Sequence, residues 1–282
     1  MVLGDKLVKM IYGVSSSIAR NYSNAAIETI EFAGKKGFDA VELLCESPNL
    51  VPGHVPDPLK NKIREKSLEY NLTLQLHAPF HSLNLASFNE KARELSTQII
   101  LNTILLAYEL DCKLVTFHLG LCFLPCQIYL NKAFEILVDS LNQIVDFAAE
   151  YGITLAAENR GGKLDIGKPP ELLKVIKSVN SNFLKITFDT VQANVIGDPL
   201  EQYRELKKYV VNVHARDAPR GKDMLLAIGE GEIDFKSLIR EFIKDNFYGP
   251  LIFEVSSKDR ALISRGVIDE ILLDILSPEE KM

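Results

Sequence analysis

The sequence predicts an α/β protein of one domain, residues 1–282, folded as a single (β/α)8 barrel. Eight short apolar runs alternate with helical segments at a spacing of roughly 35 residues, which is typical of parallel βαβ units. Closing eight such strands into a barrel leaves no sheet edge exposed. The competing fold is an open doubly wound sheet. No Gly-x-Gly-x-x-Gly motif follows the first strand, which disfavours its dinucleotide-binding form.

Composition and charge disfavour two classes of function. The chain is 47% hydrophobic and 25% charged, so a large core is available. Its formal net charge of −6 argues against general nucleic-acid binding. No apolar run approaches the roughly 20 residues that span a bilayer. The short apolar run 8–14 has no cleavage site after it, so we expect neither a signal peptide nor a membrane anchor.

The cysteines indicate a reducing compartment. Cys45, Cys112, Cys122 and Cys126 show no spacing typical of a disulfide framework. We therefore expect free thiols and a cytoplasmic protein. Cys122 and Cys126 have three residues between them, which leaves a local disulfide or a metal-binding pair open.

Each predicted strand is an apolar run bounded by glycine, proline or polar residues. The clearest run, 153–157, stops at Glu158, and the following Gly161-Gly162 pair belongs to a loop. The second strand contains a carboxylate, Glu42, which suits an internal hydrogen bond and a peripheral substrate contact equally. The strands are expected at 9–14, 38–44, 72–77, 113–118, 153–158, 183–189, 210–214 and 250–254.

The predicted helices begin and end at residues with capping preferences. Gly37 suits a left-handed cap at the end of the first helix. Asp57 and Pro58 suit the N-cap and first position of the second helix. Ser87 to Glu90 has the form of a capping box that begins the third. The helices are expected at 25–36, 57–70, 87–110, 129–151, from 169, from 199, at 235–244 and at 262–276, with a frayed tail over 277–282.

Six of the predicted strands end on a side chain of a type that binds metal ions. In a parallel barrel the C-terminal ends of all strands meet at one face, where active sites lie. A carboxylate at the tip of a buried strand is costly unless it is paired, so these residues are expected to converge on one site. They are His77, His118, Glu158, Asp189, His214 and Glu254.

Three carboxylates and one imidazole from this set form a predicted ligand group for one divalent metal ion. Such donors suit Mn²⁺, Mg²⁺ or Co²⁺, and they are also compatible with Zn²⁺. The competing interpretation makes each residue a helix cap or a hydrogen-bonded core group. The predicted ligands are Glu158, Asp189, His214 and Glu254.

Other polar residues near the strand ends have more than one interpretation. Three carboxylates around a dication leave a surplus negative charge, and Arg160, Arg216 and Arg220 lie in loops that can neutralise it. His77 and His118 stay open between substrate contact, a second metal ion and a structural hydrogen bond.

The order of motifs at the strand ends resembles the xylose-isomerase-like TIM barrel superfamily over nearly the whole chain. That superfamily includes sugar and sugar-phosphate isomerases and epimerases, and the apurinic-site endonucleases of the endonuclease IV type. Each motif is short, and it is their order and their placement that carry the resemblance. The motifs are His77-Ala-Pro, His118-Leu-Gly, Glu158-Asn, Asp189-Thr, His214-Ala-Arg-Asp217, Gly229-Glu-Gly-Glu-Ile-Asp234 and Glu254.

The sequence departs from the pattern of these relatives at two places. Endonucleases and keto-sugar epimerases carry a histidine three residues after the strand-six aspartate, where this chain has Gln192. Glutamine can still hydrogen-bond a hydroxyl. The endonucleases also carry an Asp-x-His pair after the strand-seven histidine, whereas residues 218–229 contain no histidine. The resemblance to epimerases extends to an arginine six residues after that histidine, matched by Arg220.

The resemblance implies a metal-dependent isomerase or epimerase of a small keto sugar, polyol ketone or sugar phosphate that works through an enediolate. Glu158 and Glu254 are the predicted catalytic residues, one on each face of the substrate. Nucleic acid and membranes are not expected as partners, and a homo-oligomer is left open. The alternatives are an endonuclease IV type nuclease with a multi-zinc site, acting on abasic DNA, and a non-catalytic metal- or sugar-binding barrel. The predicted substrate-binding residues are His77, His118, Gln192 and Arg220.

Overall fold

The computed structural model of the chain describes residues 2–3, 6–7, 10–20, 22–46, 48, 50–122 and 127–277. The expectations for Cys126 and for the tail beyond residue 277 lie outside the described residues. Val2–Leu3 and Lys6–Leu7 form a short antiparallel pair that is separate from the main sheet.

The main sheet is a closed barrel of eight parallel strands, which confirms the predicted fold. The strands are β1 Ile11–Ser15, β2 Ala40–Leu44, β3 Thr73–His77, β4 Leu114–Phe117, β5 Thr154–Glu158, β6 Leu184–Asp189, β7 Val210–Ala215 and β8 Pro250–Phe253. Neighbours in the sequence are neighbours in the sheet, and β8 closes the barrel against β1. The register of β6 against β7 places Asp189 opposite His214, so two predicted ligands lie side by side.

The helices follow the strands as predicted, and Gly37 ends the first with a φ of 69°. An additional short helix begins directly after β6, because the Asp189 carboxylate accepts a hydrogen bond from the Gln192 backbone N–H and caps it. The helices are α1 Ala25–Lys36, α2 Asp57–Glu69, α3 Glu90–Glu109, α4 Gln127–Glu150, α5 Pro169–Val179, α6 Thr190–Ile196, α7 Pro199–Leu206, α8 Phe235–Lys244 and α9 Lys258–Leu276.

Two predicted helix starts are wrong because a neighbouring residue takes the cap. The Asn89 side chain, not that of Ser87, caps α3 by accepting from the Ala92 N–H. The Ser87 hydroxyl accepts from the Asn89 N–H instead, so the predicted capping box does not form. Asp57 lies inside α2, and the extended Pro56 precedes it as the N-cap.

The last helix also begins earlier than predicted, at Lys258 rather than Leu262. Ser257 is its N-cap and accepts a hydrogen bond from the Arg260 N–H. None of the helices in the described part of the chain has the length and apolar character needed to cross a membrane.

Apolar and polar layers divide the barrel. Between strands and helices, the rings of Phe188 and Tyr203 lie 5.6 Å apart, and Tyr203 lies 4.7 Å from Phe242. Inside the barrel, by contrast, a buried polar layer is joined by hydrogen bonds. This layer consists of Glu42, Gln75, Thr116, Thr187 and Asn212. The interior is therefore a hydrogen-bonded network at this level, and it supports the site described next.

Candidate metal centre and active site

The predicted strand-tip residues converge at the C-terminal face of the barrel. His214 is at the centre, and its Nδ1 atom lies 3.5 Å from Glu158 Oε2, 3.8 Å from Glu254 Oε2 and 4.0 Å from Asp189 Oδ2. All of these residues are buried except Glu254, whose side chain is 16% exposed. The predicted ligand set is thus assembled around one imidazole nitrogen.

Glu42 orients that imidazole. His214 Nε2 lies 2.9 Å and 3.1 Å from the two Glu42 oxygens, so Nε2–H donates to this carboxylate and Nδ1 is turned toward the other three. Glu42 is fully buried and also accepts from Gln75, Thr116 and Asn212. The structure therefore places Glu42 in an internal hydrogen-bond network, one of the two roles its position in β2 had left open.

His214 Nδ1 itself is buried and makes no hydrogen bond with any described residue. An unpaired buried nitrogen that faces three carboxylates is costly unless a ligand completes it. A carboxylate that fixes the far nitrogen of the imidazole is the usual support of a metal-binding histidine. The residues present therefore fit a divalent ion. In the part of the chain that the structure describes, two triads have ligand atoms within 4.8 Å of one another: Asp189, His214 and Glu254, and His77, Glu158 and His214.

His77 and His118 both contact Glu158. Their Nε2 atoms lie 3.2 Å and 3.0 Å from Glu158 Oε2, and Arg160 Nη1 lies 3.3 Å from Oε1. His77 Nδ1 lies 2.8 Å from the Ala78 carbonyl, so Nδ1–H donates there and the ring is fixed. The two histidines are therefore close enough to Glu158 to act with it, whether on a substrate or on a second ion.

The protonation of these groups follows from burial and from their neighbours. Burial acts to raise the pKa of Glu158, but His118 and its other imidazole partners hold that pKa well below its usual value. Burial would lower the pKa of His214, but the charges of Glu42 and Glu254 raise it well above the usual value. Burial raises the pKa of Asp189 to about 6, although Arg216 acts against this. A metal ion binding here must therefore displace protons.

The structure brings two further residues to the site: Arg216, one of the three arginines expected to offset the negative charge of the ligands, and Asp223, which was not predicted. Arg216 is buried, and its Nε lies 2.7 Å from Asp189 Oδ2 and 3.3 Å from Glu254 Oε2. Its Nη1 lies 2.8 Å from Asp223 Oδ1. Arg216 is two residues beyond His214 on an extended segment, so alternation of side chains along β7 could have assigned it to the same side. Asp223 lies in the long loop after β7, where the sequence offers no comparable pattern.

Of the two remaining predicted substrate-binding residues, Gln192 is buried at the site and Arg220 is exposed. Gln192 is buried; its Oε1 accepts from the Gly161 N–H and its Nε2 donates to Asp223. Arg220 is exposed, and its backbone N–H donates to Glu232. In the described part of the chain Arg220 makes no ion pair with a strand-tip carboxylate. Its contact with a substrate stays a prediction.

Asp217 gives the loop after β7 its shape. Its buried carboxylate accepts hydrogen bonds from four backbone N–H groups. A Cβ atom at Gly231 would collide with this carboxylate, which explains a glycine there. The donors are Ala218, Gly229, Gly231 and Ile233. The Gly-Glu-Gly-Glu motif is therefore a cradle for Asp217, on the same loop that carries Asp223.

Comparison with known proteins gives matches over most of the chain. The model of the xylose isomerase-like TIM barrel family matches residues 30–271. The uncharacterized protein MJ1311 of Methanocaldococcus jannaschii is 32% identical over 275 residues, 94% of this chain and 90% of that protein. A crystal structure of a D-tagatose 3-epimerase-like protein is 30% identical with a TM-score of 0.85, covering 95% of this chain and 98% of the other. The probable endonuclease 4 of Aquifex aeolicus is 27% identical, over 70% of this chain and 75% of that protein.

Proposed function

Since the chain belongs to the xylose isomerase-like TIM barrel family, we propose that it is a divalent-metal-dependent isomerase or epimerase of a small sugar. The substrate class is a keto sugar, a polyol ketone or a sugar phosphate. The observation that carries the proposal is the unpaired, buried Nδ1 of His214 with three carboxylates 3.5–4.0 Å away. The similarity to a D-tagatose 3-epimerase-like protein supports the sugar assignment.

The ligands in this proposal are Glu158, Asp189, His214 and Glu254. A bound divalent ion would supply Lewis-acid polarisation of a substrate carbonyl. This oxygen-rich ligand set favours Mn²⁺, Mg²⁺ or Co²⁺. Glu42 contributes by holding the His214 ring in the orientation that turns Nδ1 toward the other ligands.

Glu158 and Glu254 carry the proton transfer. They come from β5 and the end of β8, and both approach His214 Nδ1, so they reach one centre from different strands. One carboxylate removes the proton on the carbon beside the carbonyl, and the other returns a proton on the opposite face. His77 and His118 touch Glu158 at 3.2 Å and 3.0 Å and are placed to hold a proton there or to contact a hydroxyl.

A nuclease acting on abasic DNA is the second candidate, favoured by the similarity to the probable endonuclease 4 and by the strand-tip histidines. Two contacts argue against it. Gln192 stands where the endonucleases carry a histidine, and its Nε2 donates to Asp223 Oδ2 at 2.7 Å. The other Asp223 oxygen is taken by Arg216. Elemental analysis separates the two functions, because the proposed isomerase binds one ion per chain and the nuclease requires a cluster.

The experiment that tests the proposal is incubation of the purified protein with Mn²⁺ and a panel of keto sugars and sugar phosphates in D₂O. NMR should show deuterium entering at the carbon beside the carbonyl, followed by the epimer or isomer. Glu158→Gln and Glu254→Gln should each lower turnover by about 10²–10⁴-fold. One of the two variants can still exchange the substrate proton with solvent, because the glutamate on the other face of the substrate is intact. If both variants retain metal and turn over near the wild-type rate, the two-glutamate mechanism is wrong.

A further inference from the structure

Arg216 shares its carboxylate partners with the proposed metal ion. Its Nε lies 2.7 Å from Asp189 Oδ2 and 3.3 Å from Glu254 Oε2. These are the oxygens that lie 4.0 Å and 3.8 Å from His214 Nδ1. The Arg216 guanidinium and a divalent ion would therefore compete for the same oxygen atoms on two of the four ligands, Asp189 and Glu254.

A closed ring of hydrogen bonds holds Arg216 in this position. Arg216 Nη1 donates to Asp223 Oδ1 at 2.8 Å, and Gln192 Nε2 donates to Asp223 Oδ2 at 2.7 Å. The Gln192 backbone N–H donates to Asp189 Oδ1 at 2.7 Å, which returns the ring to the carboxylate that Arg216 contacts. Arg216 is 4% exposed, so its charge is held within the site rather than in solvent.

The charges of the surrounding groups indicate what Arg216 does there. Among the described residues, the guanidinium groups at the site are those of Arg160, which pairs with Glu158, and of Arg216. With neutral imidazoles, the three ligand carboxylates, Glu42 and Asp223 carry five negative charges, and the two guanidiniums reduce these to three. One dication then leaves a single negative charge, whereas a second would leave the cluster positive.

We propose that Arg216 is an internal counter-ion of the metal centre, which competes with the divalent ion for Asp189 and Glu254 and so sets the metal affinity. This role rests on the proposed metal-dependent function. Arg216 acts through the ligands and is a positioning residue. Replacing Arg216 keeps all four ligand residues and raises the local negative charge, so the ion should bind more tightly.

The test is calorimetric titration of Mn²⁺ into metal-stripped protein at one fixed pH. Arg216→Met should lower the dissociation constant at least about tenfold relative to the wild type, because a buried like charge beside the ion has been removed. Arg216→Lys keeps the positive charge and should stay close to the wild-type value. Lys222→Met is the matched control, since it makes the same change of net charge at an exposed position of the same loop.

Melting temperatures over a series of Mn²⁺ concentrations give the same constants if the metal-free Met variant is too unstable for calorimetry. An Arg216→Met affinity that equals that of Lys222→Met, or is weaker than the wild type, overturns the proposal. So does an Arg216→Lys variant that tightens as much as Arg216→Met, because charge is then not the cause. If the wild type and all variants bind no divalent ion, the metal-dependent function fails and this inference fails with it. If the wild type binds one ion and only the Arg216 effect is missing, the inference alone fails.

Discussion

Glu42→Gln should weaken metal binding although Glu42 touches no ion. The carboxylate accepts a hydrogen bond from His214 Nε2 at 3.1 Å through its Oε2 atom and fixes the ring with Nδ1 toward the other ligands. Glutamine keeps the size and one acceptor oxygen, but it loses the charge that makes the imidazole a stronger ligand. The amide N–H₂ group of the introduced glutamine would also meet another donor, because Gln75 Nε2 donates to the Glu42 carboxylate at 2.7 Å. Replacing such a support typically costs about 10–100-fold in metal affinity, which is about 1.4–2.7 kcal/mol.

Titration of Mn²⁺ into metal-stripped wild type and variant measures this difference directly. Thr116→Val is the matched control, because Thr116 Oγ1 lies 3.2 Å from the same Glu42 oxygen and belongs to the same buried layer but does not contact His214. It should change the affinity far less than Glu42→Gln. An affinity of Glu42→Gln within about twofold of the wild type would refute the reasoning, since the ring orientation would then not depend on Glu42.

Three further outcomes follow from the same contacts. Asp189→Asn and His214→Ala should each lose stoichiometric metal in elemental analysis while circular dichroism shows a folded barrel, and metal retained in both variants would remove them from the ligand set. Arg220→Ala should leave metal content unchanged, because Arg220 is exposed and away from the ligands, and an unchanged KM on the true substrate would make it a plain surface residue. Asp217→Ala should lower the free energy of unfolding by at least about 3 kcal/mol in urea titrations, because four backbone donors lose their acceptor; a change under about 1 kcal/mol would contradict the cradle.

The barrel could be predicted from the sequence because strand positions depend on a single strong signal. An apolar run that ends at a polar residue fixes where a strand ends, and β3, β5 and β6 end at His77, Glu158 and Asp189 as expected. Helix starts are less certain because several polar residues close together can each serve as the cap. Ser87 and Asn89 are such a pair, and the residue nearer to α3 takes the role.

The candidate site was predictable to the extent that the fold itself assembles it. Parallel closure brings the strand tips together, so the convergence of His214, Asp189 and Glu254 needs no further information. The partnership of Glu42 with His214 could not be foreseen, because these residues are 172 positions apart and meet only inside the closed barrel. Asp223 escaped prediction for another reason: its place depends on the path of an irregular loop, which residue alternation does not determine.

Three of the four candidate ligands are held by two separate routes. His214 is fixed from within the barrel by Glu42, whose partners belong to the buried polar layer. Asp189 and Glu254 are instead held by Arg216, whose outer partner Asp223 lies half exposed in the loop after β7. The interior route depends on the closed strands, whereas the outer route depends on a loop that can vary in sequence without disturbing them. Changes in that loop can therefore reach the candidate ligands Asp189 and Glu254 through Arg216, while the His214 imidazole keeps its orientation.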